Sequence, residues 1–76
     1  MKECIAFIAS RLVDNPDAVD VVEREEENVV TVELRVAKDD LGKVIGKQGR
    51  TARAMRMVLA SIAAKEDKRS RLEILE

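Results

Sequence analysis

The spacing of hydrophobic positions switches between helical and alternating periods along this chain, and each switch predicts an element. From Lys2 to Val13, Ile5, Ile8, Ala9 and Leu12 recur at helical spacing with Phe7 on the flank. That pattern predicts a helix and assigns Phe7 to the core. Asp14-Asn15-Pro16-Asp17 ends it, because proline confines the residue before it to extended conformations. Ala18 to Arg24 reads as a strand built on Val19, Val21 and Val22, and Glu25-Glu26-Glu27-Asn28 as a solvated hairpin turn. From Val29 to Ala37 the alternation is clean: Val30, Val32, Leu34 and Val36 point one way, while Val29, Thr31, Glu33 and Arg35 point the other. A sheet with one covered face requires that pattern.

Asp39 or Asp40 is placed to cap a short helix from Leu41 to Ile45. A longer helix is predicted from Arg50 to Lys65, with Ala52, Met55, Leu59, Ile62 and Ala63 as its buried stripe and Val58 on the border. Glu66 to Ser70 is a polar connection, and Arg71 to Leu75 a last strand with Leu72 and Ile74 on one face. The order α-β-β-α-α-β predicts a single α+β domain over residues 1–76, in which a hairpin and a returning strand form a three-stranded sheet with helices packed on one face. The far side of the long helix carries Ala54, Met57, Ser61 and Ala64, without a charge between Arg50 and Lys65. Small residues there admit another backbone and Met57 is an adaptable anchor, so a helix-to-helix homodimer is expected; alanine's own helix propensity is the alternative account.

Composition sharpens this picture in one respect. The net charge is −1 over 76 residues, which gives no global basic signature. Yet Asp20, Glu23, Glu25, Glu26, Glu27 and Glu33 face only Arg24 in their stretch, whereas Lys43, Lys47, Arg50, Arg53 and Arg56 occur with no acid among them. Cys4 is the single cysteine and there is no histidine, which excludes a disulfide framework, a Cys/His zinc site and histidine acid–base chemistry. No metal, cofactor or catalytic residue is expected. No stretch reaches membrane-spanning length, and acidic and polar residues come too early for a signal peptide, so a soluble cytoplasmic protein is expected.

The candidate chemistry lies in Val44-Ile45-Gly46-Lys47-Gln48-Gly49-Arg50-Thr51. Two helices must turn on these glycines. Gly46 is expected to take the left-handed conformation that ends a helix, and Gly49 to allow close backbone approach. Helix-start amides together with Lys47 and Arg50 make an anion site. A nucleotide phosphate loop is rejected: the match to Gly-x-x-x-x-Gly-Lys-Ser/Thr is one residue short, Gln48 stands where the magnesium-binding hydroxyl belongs, and the turn follows a helix. A DNA-reading helix-turn-helix, with Arg50, Arg53 and Arg56 on the duplex, is a second reading.

The run Val44 to Arg50 resembles the Gly-x-x-Gly loop of KH domains, which clamps about four single-stranded nucleotides by the backbone. The element order resembles the type II, prokaryotic arrangement, and the size resembles small stand-alone bacterial KH proteins of the KhpA type. The near-absence of aromatics agrees, since other single-strand binders rely on aromatic stacking. The resemblance implies that Lys47, Gln48 and the amides around Gly49 hold phosphates and that Lys43, Arg50 and Arg53 add charge. It also implies that Val44 and Ile45 floor a groove beside the edge of the second strand near Leu34 to Val36. The ligand would be single-stranded RNA, held weakly and with low sequence selectivity by a dimeric RNA chaperone or regulator. A heteromeric partner of the Jag/KhpB type is implied too. The rival class is a KH-fold protein-interaction module that binds little RNA.

Overall fold

The computed structural model describes residues 1–76. Its elements are α1 (Lys2–Leu12), β1 (Asp20–Glu26), β2 (Val29–Arg35), α2 (Leu41–Ile45), α3 (Arg50–Ala64) and β3 (Arg69–Leu75), with single 3-10 turns at Pro16–Ala18, Lys38–Asp40 and Lys47–Gly49. The α+β class and the element order match expectation. The strands form one sheet in the order β1-β2-β3, with β1 antiparallel and β3 parallel to β2. The alternation in β2 explains its central place. Val30, Val32 and Leu34 are buried under the helices with Ile5 and Ala9 of α1, Val44 of α2, Met55 and Leu59 of α3, and Leu72 of β3. The opposite face of the sheet carries Arg24, Thr31, Glu33, Arg71 and Glu73.

The hairpin is tighter than its sequence suggested. β1 runs on to Glu26, and Glu26 pairs with Val29, so only Glu27 and Asn28 turn. Both have positive φ, 49° and 66°, the backbone of a two-residue turn whose twist matches the flanking strands. Asn28 tolerates that conformation; the acidic run around it gave no sign of it. β3 starts two residues early, at Arg69, whose amide donates to the Asn28 carbonyl at 2.9 Å. Lys68 donates to Glu25 at 2.9 Å, and that carboxylate holds the ammonium above its ordinary range.

Other boundaries and burials also moved. β2 ends at Arg35 rather than Ala37, although Val36 remains buried and donates to the Leu75 carbonyl at 3.4 Å. Ile62 is half-buried. Phe7 is 60% exposed and Leu12 39%, so neither belongs to the core. At about 100° per residue Phe7 lies opposite the Ile5–Ala9 side. The Arg11 guanidinium covers its ring at 4.5 Å from the centroid.

Asp40 precedes α2 but its side chain caps nothing in that helix. Instead the buried carboxylate turns back to accept the amides of Asp14 at 3.1 Å and Asn15 at 3.0 Å. A charge taken out of water needs such bonds. They tie the end of α1 to the start of α2, and so fix the helix that leads into the glycine turn.

Candidate nucleic-acid interface

The glycine turn is built from two different glycine requirements. Gly46 closes α2 through its amide, which donates to Gly42 at 2.9 Å, and then adopts φ 79° and ψ 169°. This is not the left-handed helical conformation but the extended positive-φ region, open essentially to glycine alone. A Cβ there would collide with the Thr51 side chain and come within 2.9 Å of the Thr51 amide nitrogen. Gly49 is the residue in left-handed helical geometry, at φ 73° and ψ 14°, and a Cβ on it would meet nothing within 4 Å. Gln48 between them also has positive φ, 58°. The Gly49 amide donates to the Gly46 carbonyl at 3.0 Å, so it closes the turn and is not free for a phosphate.

The expected site residues divide into two groups. Lys47, Gln48, Arg50 and Arg53 are exposed around the turn and along α3, and Gly46, Gly49 and Ile45 (38% exposed) reach the surface beside them. Arg50 also donates weakly to the Gln48 amide oxygen at 3.4 Å. Val44 is fully buried in the core and is unavailable to a ligand. Lys43 is turned away: its ammonium lies 3.2 Å from Asp14 and 3.8 Å from Asp40, the acids at the end of α1 and the start of α2.

The strand beside the site is β3, not β2. β2 is hydrogen-bonded on both sides and has no free edge, whereas β3 is an edge strand lying under α3. Between α3 and that edge runs a hollow of about 410 Å³ lined by Arg56, Ala60, Ser70, Arg71 and Leu72. Arg56 and Arg71 were not among the expected site residues. The sequence showed Arg56 in the basic run; Arg71 borders the hollow from β3, where it alternates with Leu72 and belongs to the open face of the sheet.

Charge is segregated around this surface. Every ion pair in the molecule uses Arg24, Lys43, Lys68 or the N-terminal amine, and none uses Lys47, Arg50, Arg53, Arg56 or Arg71. Lys47, Arg50, Arg53 and Arg56 fall in a stretch without an acid, so the turn and the start of α3 form a basic strip. On the far side of α3, Ala54, Met57, Ser61 and Ala64 are all exposed, Met57 at 68%.

Comparison with known proteins bears directly on this arrangement. The profile described as "KhpA/KhpB, KH domain" matches residues 2–74. The chain belongs to the KhpA/KhpB KH-domain family. Its KhpA relatives include the RNA-binding protein KhpA of Aquifex aeolicus, 54% identical over 76 residues, covering 100% of this chain and 96% of the relative. That of Halalkalibacterium halodurans is 49% identical over the full length of both chains, 100% of each. That of Chlamydia trachomatis is 46% identical, covering 100% of this chain and 97% of its own. No solved structure matches. No helix is long and apolar enough to cross a membrane.

Proposed function

We propose that this KH domain binds single-stranded RNA in the groove between α3 and the free edge of β3, with the glycine turn gripping the backbone at one end. One observation carries the reading: Lys47 in the glycine turn and Arg50, Arg53 and Arg56 at the start of α3 form a run of exposed cations with no acid among them and no ion pair. The relatives that are RNA-binding protein KhpA support it. Gly49 faces open space, so a phosphate can approach its backbone without meeting a side chain. Aliphatic groove walls at Ala60 and Leu72 accept any base face, which suits low sequence selectivity overall. No group here supplies a nucleophile or an acid–base pair, and the role is that of a binder rather than an enzyme.

Few phosphate contacts make one copy a weak binder. Two copies joined across the exposed Ala54, Met57, Ser61 and Ala64 face would link two such grooves and raise avidity, as an RNA chaperone requires. The second reading gives this face to a protein partner of the KhpB type; the exposure of Met57 favours some partner there.

The test is a double variant, Lys47→Asp with Gln48→Asp. Both side chains are exposed, so circular dichroism should match the wild type, while two carboxylates facing the phosphates should abolish a gel shift with single-stranded RNA. Retained binding by the folded double variant would overturn the assignment of the turn.

A further inference from the structure

The inward side of β3 breaks its own pattern at Ser70. Ser70, Leu72 and Ile74 lie opposite Val30, Val32 and Leu34 of β2, so their side chains face the helices. Leu72 and Ile74 are aliphatic, as a covered face requires, but Ser70 brings a hydroxyl. That residue is half-buried in the wall of the hollow that Arg56, Ala60 and Leu72 also line. Its hydroxyl has no hydrogen-bond partner; among the serines and threonines only Ser10 is bonded through its side chain, to the Ala6 carbonyl. The Arg56 guanidinium stands at the same hollow, 3.5 Å from the Leu72 carbonyl oxygen, and enters no ion pair. One long bond leaves most of its N–H donors free. The cations nearer in sequence are turned elsewhere. Lys68 is held by Glu25 and Glu66, and Arg69, opposite Val29, belongs to the open face of the sheet.

We propose that Ser70 is a phosphorylation site whose phosphate closes the RNA groove. The proposal rests on the groove being the RNA site. Around the hydroxyl the chain reads Lys68-Arg69-Ser70-Arg71, in an edge strand that is already extended. An extended serine segment flanked by cations is the charge pattern that the acidic substrate cleft of a basic-directed protein kinase accepts. The Ser70 hydroxyl oxygen attacks the terminal phosphorus of a nucleoside triphosphate held by that kinase. The nucleoside diphosphate leaves, and the hydroxyl proton passes to a base of the kinase. Near neutral pH the new ester carries a charge of about −1.5 to −2 together with strong acceptor oxygens. It occupies the hollow, pairs with Arg56 as an RNA phosphate would, and turns the local charge negative. RNA is then opposed by volume, by repulsion and by the loss of Arg56. The glycine turn, at the N-terminal end of α3, keeps its own cations and geometry.

The test uses the full chain phosphorylated at Ser70, made by ligating a synthetic C-terminal segment, beside the unmodified chain. A short single-stranded RNA should bind the phosphorylated chain at least about tenfold more weakly, the contribution of one charge-assisted contact. Equal affinity of the two chains would overturn the switch and leave the groove standing. Failure of the unmodified chain to bind would overturn the groove assignment, and this inference with it. Ser70→Glu should weaken binding more than Ser70→Gln, which has the same length without the charge; equal losses would reduce the effect to bulk and overturn the electrostatic switch. The phosphorus NMR signal should titrate at lower pH in the phosphorylated chain than in its Arg56→Met counterpart, because the guanidinium favours the dianion. Coincident titrations would overturn the pairing with Arg56. Protein isolated from its own cells should yield phosphorylated Ser70 in peptide mass spectrometry, and its absence across growth conditions would overturn the modification.

Discussion

Thr51 fills the space that a side chain on Gly46 would need: a Cβ there would lie 2.8 Å from the Thr51 Cβ. The space beside Gly49 is empty, although both glycines have positive φ. Glycine is required by the fold at 46, whereas at 49 it leaves the turn open to approach. Gly46→Ala should therefore destabilise the domain by about 2–4 kcal/mol, combining a forbidden backbone region with a steric clash. Gly49→Asn should cost no more than about 1 kcal/mol, because asparagine tolerates the left-handed conformation, yet it should weaken RNA binding by placing a side chain on the open side. Thermal melts and gel shifts on both variants check the contrast; equal loss of stability in the two would contradict it.

Asp40 and Lys43 should act on stability rather than on RNA. Asp40→Ala removes the acceptor of the Asp14 and Asn15 amides and should cost about 1–3 kcal/mol in urea denaturation. Lys43→Gln should lower RNA affinity much less than Arg53→Gln does, because its ammonium already faces Asp14 and Asp40. An affinity loss for Lys43→Gln as large as that for Arg53→Gln would show that Lys43 leaves those acids to meet RNA.

These outcomes mark where the sequence was legible. The element order and the buried face of β2 could be read because strict alternation admits one covered face, and the five-residue α2 because it runs straight into glycine. Phe7 was misplaced because an aromatic in a short helix signals burial only when it shares the apolar stripe, and it lies opposite Ile5. The hairpin turn was hidden because nothing in Glu27-Asn28 resembles the glycine-containing pairs that usually take two positive φ values. The strand that borders the groove escaped for a topological reason. Which strand is central is a long-range fact, so the groove was assigned to the β2 edge, whereas β2 is paired on both sides and β3 holds the edge.

Salt dependence should be shallow for a nucleic-acid binder. With about 2–4 phosphate contacts, the slope of log affinity against log salt should fall between roughly −1.4 and −2.8 for a single strand. Arg53→Gln should reduce it by about 0.7 if Arg53 holds one phosphate. An unchanged slope would remove Arg53 from the contact set.

Association across α3 has its own signature. Met57→Glu places a charge in the middle of the exposed small-residue face without touching the groove. Light scattering at tens of micromolar should show a wild-type dimer and a folded Met57→Glu monomer with weaker RNA binding. A monomeric wild type under those conditions would defeat the homodimer and leave the face to another partner.

The most direct test of the RNA groove is chemical-shift mapping of the backbone amides during titration with a short single-stranded RNA. The shifts should concentrate at Gly46 to Arg53, at Arg56 and Ala60, and at Ser70 to Leu72, tracing the turn and the β3 edge together. Shifts confined to the open sheet face around Arg24 and Thr31, or to the Met57 face of α3, would contradict it.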